Sequence, residues 1–309
     1  RISVGSRLLH TAVPLALADD LRSGISTTEN LMVPKRLALF SGIDDPLAAF
    51  GMVCGMVFPI LMFPAAILFA LAELLIPELA RCAAAESQKR IHYLAKRSLK
   101  VAMLYGCLFC GLEYLLSSEL CLWLYKSREA GRYLRLYALL IPMLYCDCIT
   151  DAMIKGLGEQ KANVRYNIIT STMDVIFLFL LLPKYGMAGY FFSFLATHLL
   201  NFGLSLRRLF KIVGKVISPS VPISAGISTA GAIFIASHVR QSAMRGISYV
   251  VILICLMSLL HVTGKEDLAW LKSLAAKNDL LAHIANRSFL LQIFQYFHYI
   301  LAFFPGICI

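Results

Sequence analysis

Charged residues are scarce in this sequence. They make up 15% of its 309 residues, whereas hydrophobic residues make up 59% and the mean hydropathy is +0.73. A soluble globular domain has roughly a quarter of charged and about half of apolar residues, so the composition excludes an ordinary soluble domain. The apolar runs are long enough for helices rather than for barrel strands. The sequence therefore predicts a multi-pass bundle of transmembrane helices.

Acidic residues are fewer than basic ones, and the net charge is +11. The sequence lacks both a nucleic-acid-binding motif and the interleaving of aromatic and basic residues, so no nucleic-acid partner is expected. Basic loops at the cytoplasmic face of a membrane explain the charge better. With the N-terminus inside, the inner loops carry nearly twice as many Lys and Arg as the outer loops. This bias predicts a cytoplasmic-membrane protein with its N-terminus and the segment from residue 265 onward on the cytoplasmic side.

The short motifs of enzymes are also missing. The sequence has no P-loop, no GxSxG pattern, no HExxH pattern and no cluster with the spacing of metal ligands. Cys107-x-x-Cys110 resembles half of a redox or zinc motif, but it lacks a second ligand pair and lies within an apolar run. We interpret both cysteines as small core residues. The sequence therefore predicts no enzyme activity, no cofactor and no metal site.

Apolar runs predict an all-α transmembrane bundle of about eight spans. The predicted spans are residues 5–33, 46–76, 98–117, 130–154, 163–182, 187–209, 219–239 and 246–263. In the second span, Gly51-x-x-x-Gly55 permits close helix contact, and we place Glu73 at the membrane interface. Four prolines interrupt the helical hydrogen-bond ladder and are candidate sites of bending: Pro14, Pro59, Pro64 and Pro142.

Polar residues occur at membrane depth on several predicted helices. Asp147, Asp151 and Lys155 are spaced i, i+4 and i+8, so they share one helical face. A second stripe runs from 167 to 174 across the following loop, and a third covers 193–205 on the sixth helix. Even on the gentlest insertion scale, an ionisable group at the bilayer centre costs about 2.5–3.5 kcal/mol. Such groups face a bundle interior or a wet cavity, so the stripes predict a polar cavity enclosed by the helices.

Ten residues are candidates for binding a polar headgroup in this cavity. They are Asp19, Arg22, Glu29, Asp147, Asp151, Lys155, Asn167, Asp174, His198 and Asn201. A cavity with Arg22 and Lys155 beside several carboxylates suits an anionic headgroup and can also respond to ions or protons. The alternative is structural, because interhelical pairs such as Arg22 with Asp147 would simply hold the bundle together.

Four stretches of the chain resemble a known family. They are LRSGISTTENLMVPKRL (21–37), FGMVCGMVFPILMFPAAILFALAELLIPELA (50–80), YLRLYALLIPMLYCDCITDAMIKGLGEQK (133–161) and NFGLSLRRLFKI (201–212). Together they resemble the C-terminal half of lipid-linked oligosaccharide flippases of the MOP (multidrug/oligosaccharidyl-lipid/polysaccharide) superfamily. Within that superfamily the likeness is greatest to the stage V sporulation protein B branch. It covers about residues 1–277 and runs co-linearly through the eight spans.

The resemblance implies a domain organisation. Residues 1–215 would form the C-terminal six-helix lobe of a transporter, and 216–264 an extra transmembrane helix pair. Residues 265–309 would form a cytoplasmic amphipathic segment and an aromatic tail, whose placement the sequence leaves open. The other lobe is absent and the chain begins at Arg1 rather than Met. We therefore expect a fragment whose partner is the missing N-terminal lobe of the same protein.

The resemblance also implies a function. The protein would be a flippase that moves a lipid-linked oligosaccharide or a peptidoglycan precursor across the cytoplasmic membrane by alternating access, in cell-envelope or spore-cortex polysaccharide synthesis. Its partners would be that glycolipid and membrane lipid, and Arg22 is the residue best placed to contact the pyrophosphate. Two alternatives are a MATE-type cation-coupled drug exporter and a non-transporting scaffold for cortex synthesis. The extra helix pair favours the flippase, since those exporters usually end after twelve helices.

Overall fold

The computed structural model describes residues 4–262, with the side chains of residues 4–19 and of Arg22 excepted. Predictions for residues 265–309 therefore lie outside the described part. The described chain is helical throughout, with short connections. Its helices are α1 (Val4–Leu37), α2 (Pro46–Met52), α3 (Phe58–Met62), α4 (Ala66–Ala84), α5 (Gln88–Tyr125), α6 (Arg128–Ala138), α7 (Ile141–Gly156), α8 (Gln160–Tyr185), α9 (Met187–Val213), α10 (Ser220–Ser237) and α11 (Ser242–Leu259). A π-helical turn, Val53–Val57, joins α2 to α3.

Length and hydropathy identify the membrane spans. Five helices of the described chain (α5, α8, α9, α10 and α11) are long and apolar enough to cross a membrane. Two further spans form if α2–α3 is joined to α4 and α6 to α7, so the described chain has five to seven candidate spans. The remaining predicted span, the first (5–33), coincides with α1, which is 34 residues long but more polar. The prediction of an all-α, polytopic membrane bundle is confirmed.

The second and fourth predicted spans are bent rather than continuous. The axis turns by 62° between Met62 and Ala66 and by 58° between Ala138 and Ile141. The sequence analysis predicted one span in each region with its prolines as candidate sites of bending, and the structure divides each span into two helices at such a bend. Pro64 lies in the first break and Pro142 immediately after the second, where a residue without an N–H cannot continue the hydrogen-bond ladder.

Two tyrosines satisfy carbonyl groups at the first break. The Tyr145 hydroxyl donates to the carbonyl oxygen of Leu61 at 3.0 Å, and the Tyr105 hydroxyl donates to that of Pro64 at 2.8 Å. A backbone carbonyl at membrane depth needs a partner, since water is scarce there. The side chains of α5 and α7 therefore stabilise the bend in the neighbouring span.

Close helix contacts lie elsewhere than predicted. A Cβ at Gly51 would meet no atom within 4 Å, so Gly51 makes no close helix contact within the described chain. Two close approaches are made by α5. A Cβ at Gly106 would lie 2.7 Å from Cα of Pro142 in α7, and one at Gly111 would lie 2.0 Å from the ring of Tyr249 in α11. Both α7 and the α10–α11 pair therefore pack against α5.

Candidate functional site

A cavity of about 540 Å³ lies inside the bundle. It is enclosed by α1, the α2–α3 segment, α4, α7, α8 and α9, and therefore by every helix from α1 to α9 except α5 and α6. Its walls combine polar side chains with aromatic rings, among them Phe50, Phe58, Tyr190 and Phe194. Its volume falls within the range of about 300–1,000 Å³ found for small-ligand sites.

The α7 stripe faces this cavity and bonds to α9. Asp147, Asp151 and Lys155 all line the cavity, as their spacing predicts. The side-chain amide of Asn201 donates to Oδ2 of Asp147 at 3.1 Å, and the hydroxyl of Ser205 donates to Oδ1 of Asp151 at 2.9 Å. Both pairs join residues 54 positions apart, so α7 and α9 run parallel with their polar residues in register.

A third carboxylate, that of Asp174, is held between α8 and α9. The hydroxyl of Ser193 donates to Oδ1 of Asp174 at 2.5 Å, and that of Thr197 donates to the same oxygen at 3.3 Å. Two turns before Asp174, the side-chain amide of Asn167 donates to the carbonyl oxygen of Asn163 at 3.0 Å. Hydroxyl donors stabilise a carboxylate away from bulk water. The hydroxyls of Ser193 and Thr197 therefore fix the position of Asp174 in the cavity wall.

Eight of the ten predicted residues line this one cavity. They are Glu29, Asp147, Asp151, Lys155, Asn167, Asp174, His198 and Asn201. The side chains of Asp19 and Arg22 lie outside the described part, so the predicted contact of Arg22 with a pyrophosphate stays a prediction. His198 stacks on Phe194 with ring centroids 3.9 Å apart.

Glu73 is a cavity residue that the sequence analysis missed. It was placed at the membrane interface, whereas it lines the cavity from α4. The 62° bend before α4 changes the direction of that helix, and a continuous helix over 46–76 cannot anticipate the change. The available signal was its isolation, since Glu73 is the single charged residue in the apolar run from Ala66 to Pro77.

The described lining is predominantly acidic. It holds five carboxylates, Glu29, Glu73, Asp147, Asp151 and Asp174. Lys155 is the one lysine or arginine among the lining residues, and His198 is the one histidine. The sequence analysis placed Arg22 and Lys155 beside several carboxylates, and of these two cations the described lining contains Lys155. A site with excess carboxylates attracts cations.

Two polar atoms of the lining residues have no hydrogen-bond partner within the described chain. They are Nδ2 of Asn30 and Oδ1 of Asn201, both buried. Buried polar atoms are normally paired, so these two are available for water or ligand. The carboxylates are spread over the cavity wall, and no three described His, Cys, Asp or Glu side chains converge on a metal position. The arrangement suits a cation bound through carboxylate, amide and hydroxyl oxygens.

A comparison with protein families gives one match. Residues 39–180 match the MatE family model, somewhat under half of the chain. This stretch runs from just before α2 into α8 and includes Asp147, Asp151 and Asp174. No curated protein and no solved structure matches the chain significantly. The match supports the MOP superfamily to which MatE belongs and does not distinguish the branches within it.

Proposed function

We propose that this chain is one lobe of a cation-coupled membrane transporter that moves a lipid-linked oligosaccharide or peptidoglycan precursor across the cytoplasmic membrane. The MatE match supports a transporter of the MOP type rather than an enzyme. The observation that carries the proposal is the cavity between the helices, with its five carboxylates. Ionisable groups inside a membrane bundle are costly, and they mark the paths of ions and substrates.

The cavity carboxylates would bind the coupling cation. Asp147 and Asp151 lie one helical turn apart on α7, and Asn201 and Ser205 hold them from α9. Binding of a cation between α7, α8 and α9 would draw these helices together. A ligand shifts a conformational equilibrium only by its differential affinity for the two states. Alternating access would therefore follow if only one of the two conformations brings these oxygens together.

The glycan headgroup would require more space than this cavity provides. A volume of about 540 Å³ fits a drug-sized ligand, whereas an oligosaccharide joined to a pyrophosphate is larger. The outer face of α1 is polar, with Asp20, Ser23 and Thr27 exposed. A carboxylate on a lipid-facing surface is costly. Both features support a second lobe that covers α1 and completes a larger headgroup site, and we propose the N-terminal half of the same protein for this role.

The second candidate function is a cation-coupled exporter of small cationic compounds. The specific observation in its favour is the charge balance, since five carboxylates and one lysine suit a cationic cargo as well as a coupling cation. Aromatic rings such as Phe58 and Phe194 line the same cavity and would contact a cation through their faces. The MatE match agrees equally with both functions.

Transport by the full-length protein in proteoliposomes tests the proposal. The assay follows a fluorescent lipid-linked oligosaccharide as it becomes accessible to a membrane-impermeant quencher, with and without a proton or sodium gradient. We expect gradient-dependent flipping that D147N/D151N slows at least roughly tenfold, which equals about 1.4 kcal/mol of barrier. Glu86→Gln, an exposed carboxylate outside the cavity lining, is the matched control.

Three other outcomes would contradict the proposal in different ways. Gradient-driven efflux of a cationic dye without flipping would establish the exporter instead. Flipping that is unchanged in D147N/D151N would refute a role for these carboxylates in coupling. If correctly folded wild-type protein shows neither flipping nor dye efflux, the transport proposal is refuted and the scaffold is favoured.

A further inference from the structure

The first part of α5 is strongly basic. From Gln88 to Leu112 it contains five basic residues and no acidic one. All five lie within the stretch 89–100, at one end of the bundle. This concentration of charge lies outside the cavity lining, and the transport proposal does not use it.

Part of this charge forms an outward stripe. Lys89, Tyr93 and Lys96 are spaced i, i+4 and i+7, so they share one face of α5, and all three are exposed. The opposite face, with Ile91 and Ala95, is buried against the bundle. No ion pair of Lys89 or Lys96 occurs within the described chain. By contrast, Arg90 of the same stretch is paired with Glu78 at 2.6 Å.

The length of α5 extends the stripe beyond the hydrocarbon core. Its 38 residues extend about 57 Å, whereas the hydrocarbon core of a bilayer is about 30 Å thick. The apolar part of the helix follows Lys100, so the excess length lies at its N-terminal end. Tyr93 is 53% exposed beside the two lysines, and tyrosine is enriched at the membrane–water interface. Lysine side chains near such a helix end extend toward the headgroups.

A second helix brings further cations to the same end. Nδ1 of His92 lies 3.1 Å from the carbonyl oxygen of Val213, which joins the start of α5 to the end of α9. Arg207 and Lys211, which precede Val213 by six and two residues, are exposed. Arg208 between them is paired with Glu159 at 2.6 Å, so its charge is offset by that carboxylate. The basic surface, defined as Lys89, Tyr93, Lys96, Arg207 and Lys211, thus combines residues of two helices.

We propose that this basic surface binds the headgroups of anionic phospholipids in the leaflet at its end of the bundle. Unpaired cations near a membrane surface attract anionic lipids, and each contributes independently. The lysines occur with an interfacial tyrosine on a helix that continues into the bilayer. A lipid headgroup lies at that depth, whereas an acidic region of a soluble protein would have to penetrate the interface. The structure therefore favours lipid over a protein partner.

Native mass spectrometry of the full-length protein in neutral detergent tests this proposal. The probes are phosphatidylglycerol and phosphatidylcholine with identical acyl chains, and the measurement is the apparent dissociation constant of each. We expect a preference for phosphatidylglycerol that falls by about fivefold for each lysine removed in K89Q and K96Q, and by more in the double variant. K89R/K96R should retain the preference, because it keeps the charge.

The matched control is K126Q/R132Q, which removes two exposed cations from the loop and helix at the opposite end. An equal loss of preference in this control would refute a localised surface. An unchanged preference in K89Q/K96Q would also overturn the proposal, as would a wild-type protein that binds both lipids equally. Thermal unfolding of each variant without added lipid shows whether a loss reflects misfolding. Because transport is not measured, the result is independent of the proposed function.

Discussion

Pro183 leaves the carbonyl of Phe179 without its helical donor, and Arg36 supplies a replacement. In α8 the donor for Phe179 would be the backbone N–H of residue 183, which proline lacks. Nη2 of Arg36 donates to that carbonyl oxygen at 2.8 Å, and its guanidinium lies 3.5 Å from the centroid of the Phe179 ring. One side chain at the end of α1 thus joins α1 to α8 by a charge-assisted hydrogen bond and a cation–π contact.

A double-mutant cycle tests this arrangement. Arg36→Gln should lower the free energy of unfolding by about 1.5–3 kcal/mol, because a hydrogen bond from a charged group is lost. Pro183→Ala restores the N–H of residue 183, so Arg36→Gln should cost less in that background. Thermal unfolding in detergent measures both differences, with the neighbouring exposed Lys35→Gln as the control. Equal costs in the two backgrounds would contradict the proposed link between Arg36 and Pro183.

Glu113 is a second residue whose environment predicts a measurable effect. Its side chain is 3% exposed in the middle of α5, and neither carboxylate oxygen has a hydrogen-bond partner in the described part of the chain. A buried polar group without a partner costs about 1–3 kcal/mol, so Glu113→Met, which is similar in volume, should raise stability by a comparable amount. Chemical denaturation measures the change. A loss of stability would show that Glu113 has a partner in another conformation.

At the scale of elements, α11 docks on α5 through one tyrosine and one glycine. The Tyr249 ring occupies the space that a Cβ at Gly111 would fill, and its hydroxyl donates to the carbonyl oxygen of Cys107 at 2.6 Å. At the outer rim of the same contact, Nη1 of Arg245 donates to Oε1 of Glu119 at 3.1 Å. The close approach depends on the absence of a side chain at Gly111.

Gly111→Ala should therefore displace α11. We expect a loss of about 1–3 kcal/mol, the usual cost of overpacking. Gly226→Ala is the matched control, because a Cβ at Gly226 in α10 would meet no atom within 4 Å. Thermal unfolding measures both variants. If Gly111→Ala costs as much in a Y249A background as in the wild type, the clash with Tyr249 is not the cause of the loss.

Helical spacing predicted the polar stripes but not their tertiary partners. Asp147 and Asp151 share a face because the period of a helix requires it, whatever the rest of the fold does. Asn201 lies opposite Asp147 because α7 and α9 pack in parallel. No local sequence pattern encodes that packing. The prolines marked candidate sites of bending, but the sequence did not predict how sharply the helices bend there. A proline within an apolar run is compatible with a continuous kinked helix or with a break, and tertiary contacts such as Tyr145 with Leu61 determine which one forms.

At the scale of the whole molecule, basic residues lie at both ends of the bundle, and their balance predicts its orientation. The end that holds the α4–α5, α7–α8 and α9–α10 connections carries most of them, whereas the other end has a smaller group around Lys126, Arg128 and Arg132. Lys and Arg near span ends are retained on the cytoplasmic side. The end with Lys89 and Arg207 is therefore expected to face the cytoplasm.

Cysteine labelling in intact cells tests this orientation. Single cysteines are introduced at Lys89 and at Arg128, both exposed, in a variant from which the native cysteines have been removed. A membrane-impermeant maleimide should label Arg128→Cys in intact cells and label Lys89→Cys only after permeabilisation. The reverse pattern would show that the charge bias does not determine the topology. The basic surface on α5 and α9 would then face the outer leaflet, and anionic lipids would have to bind there.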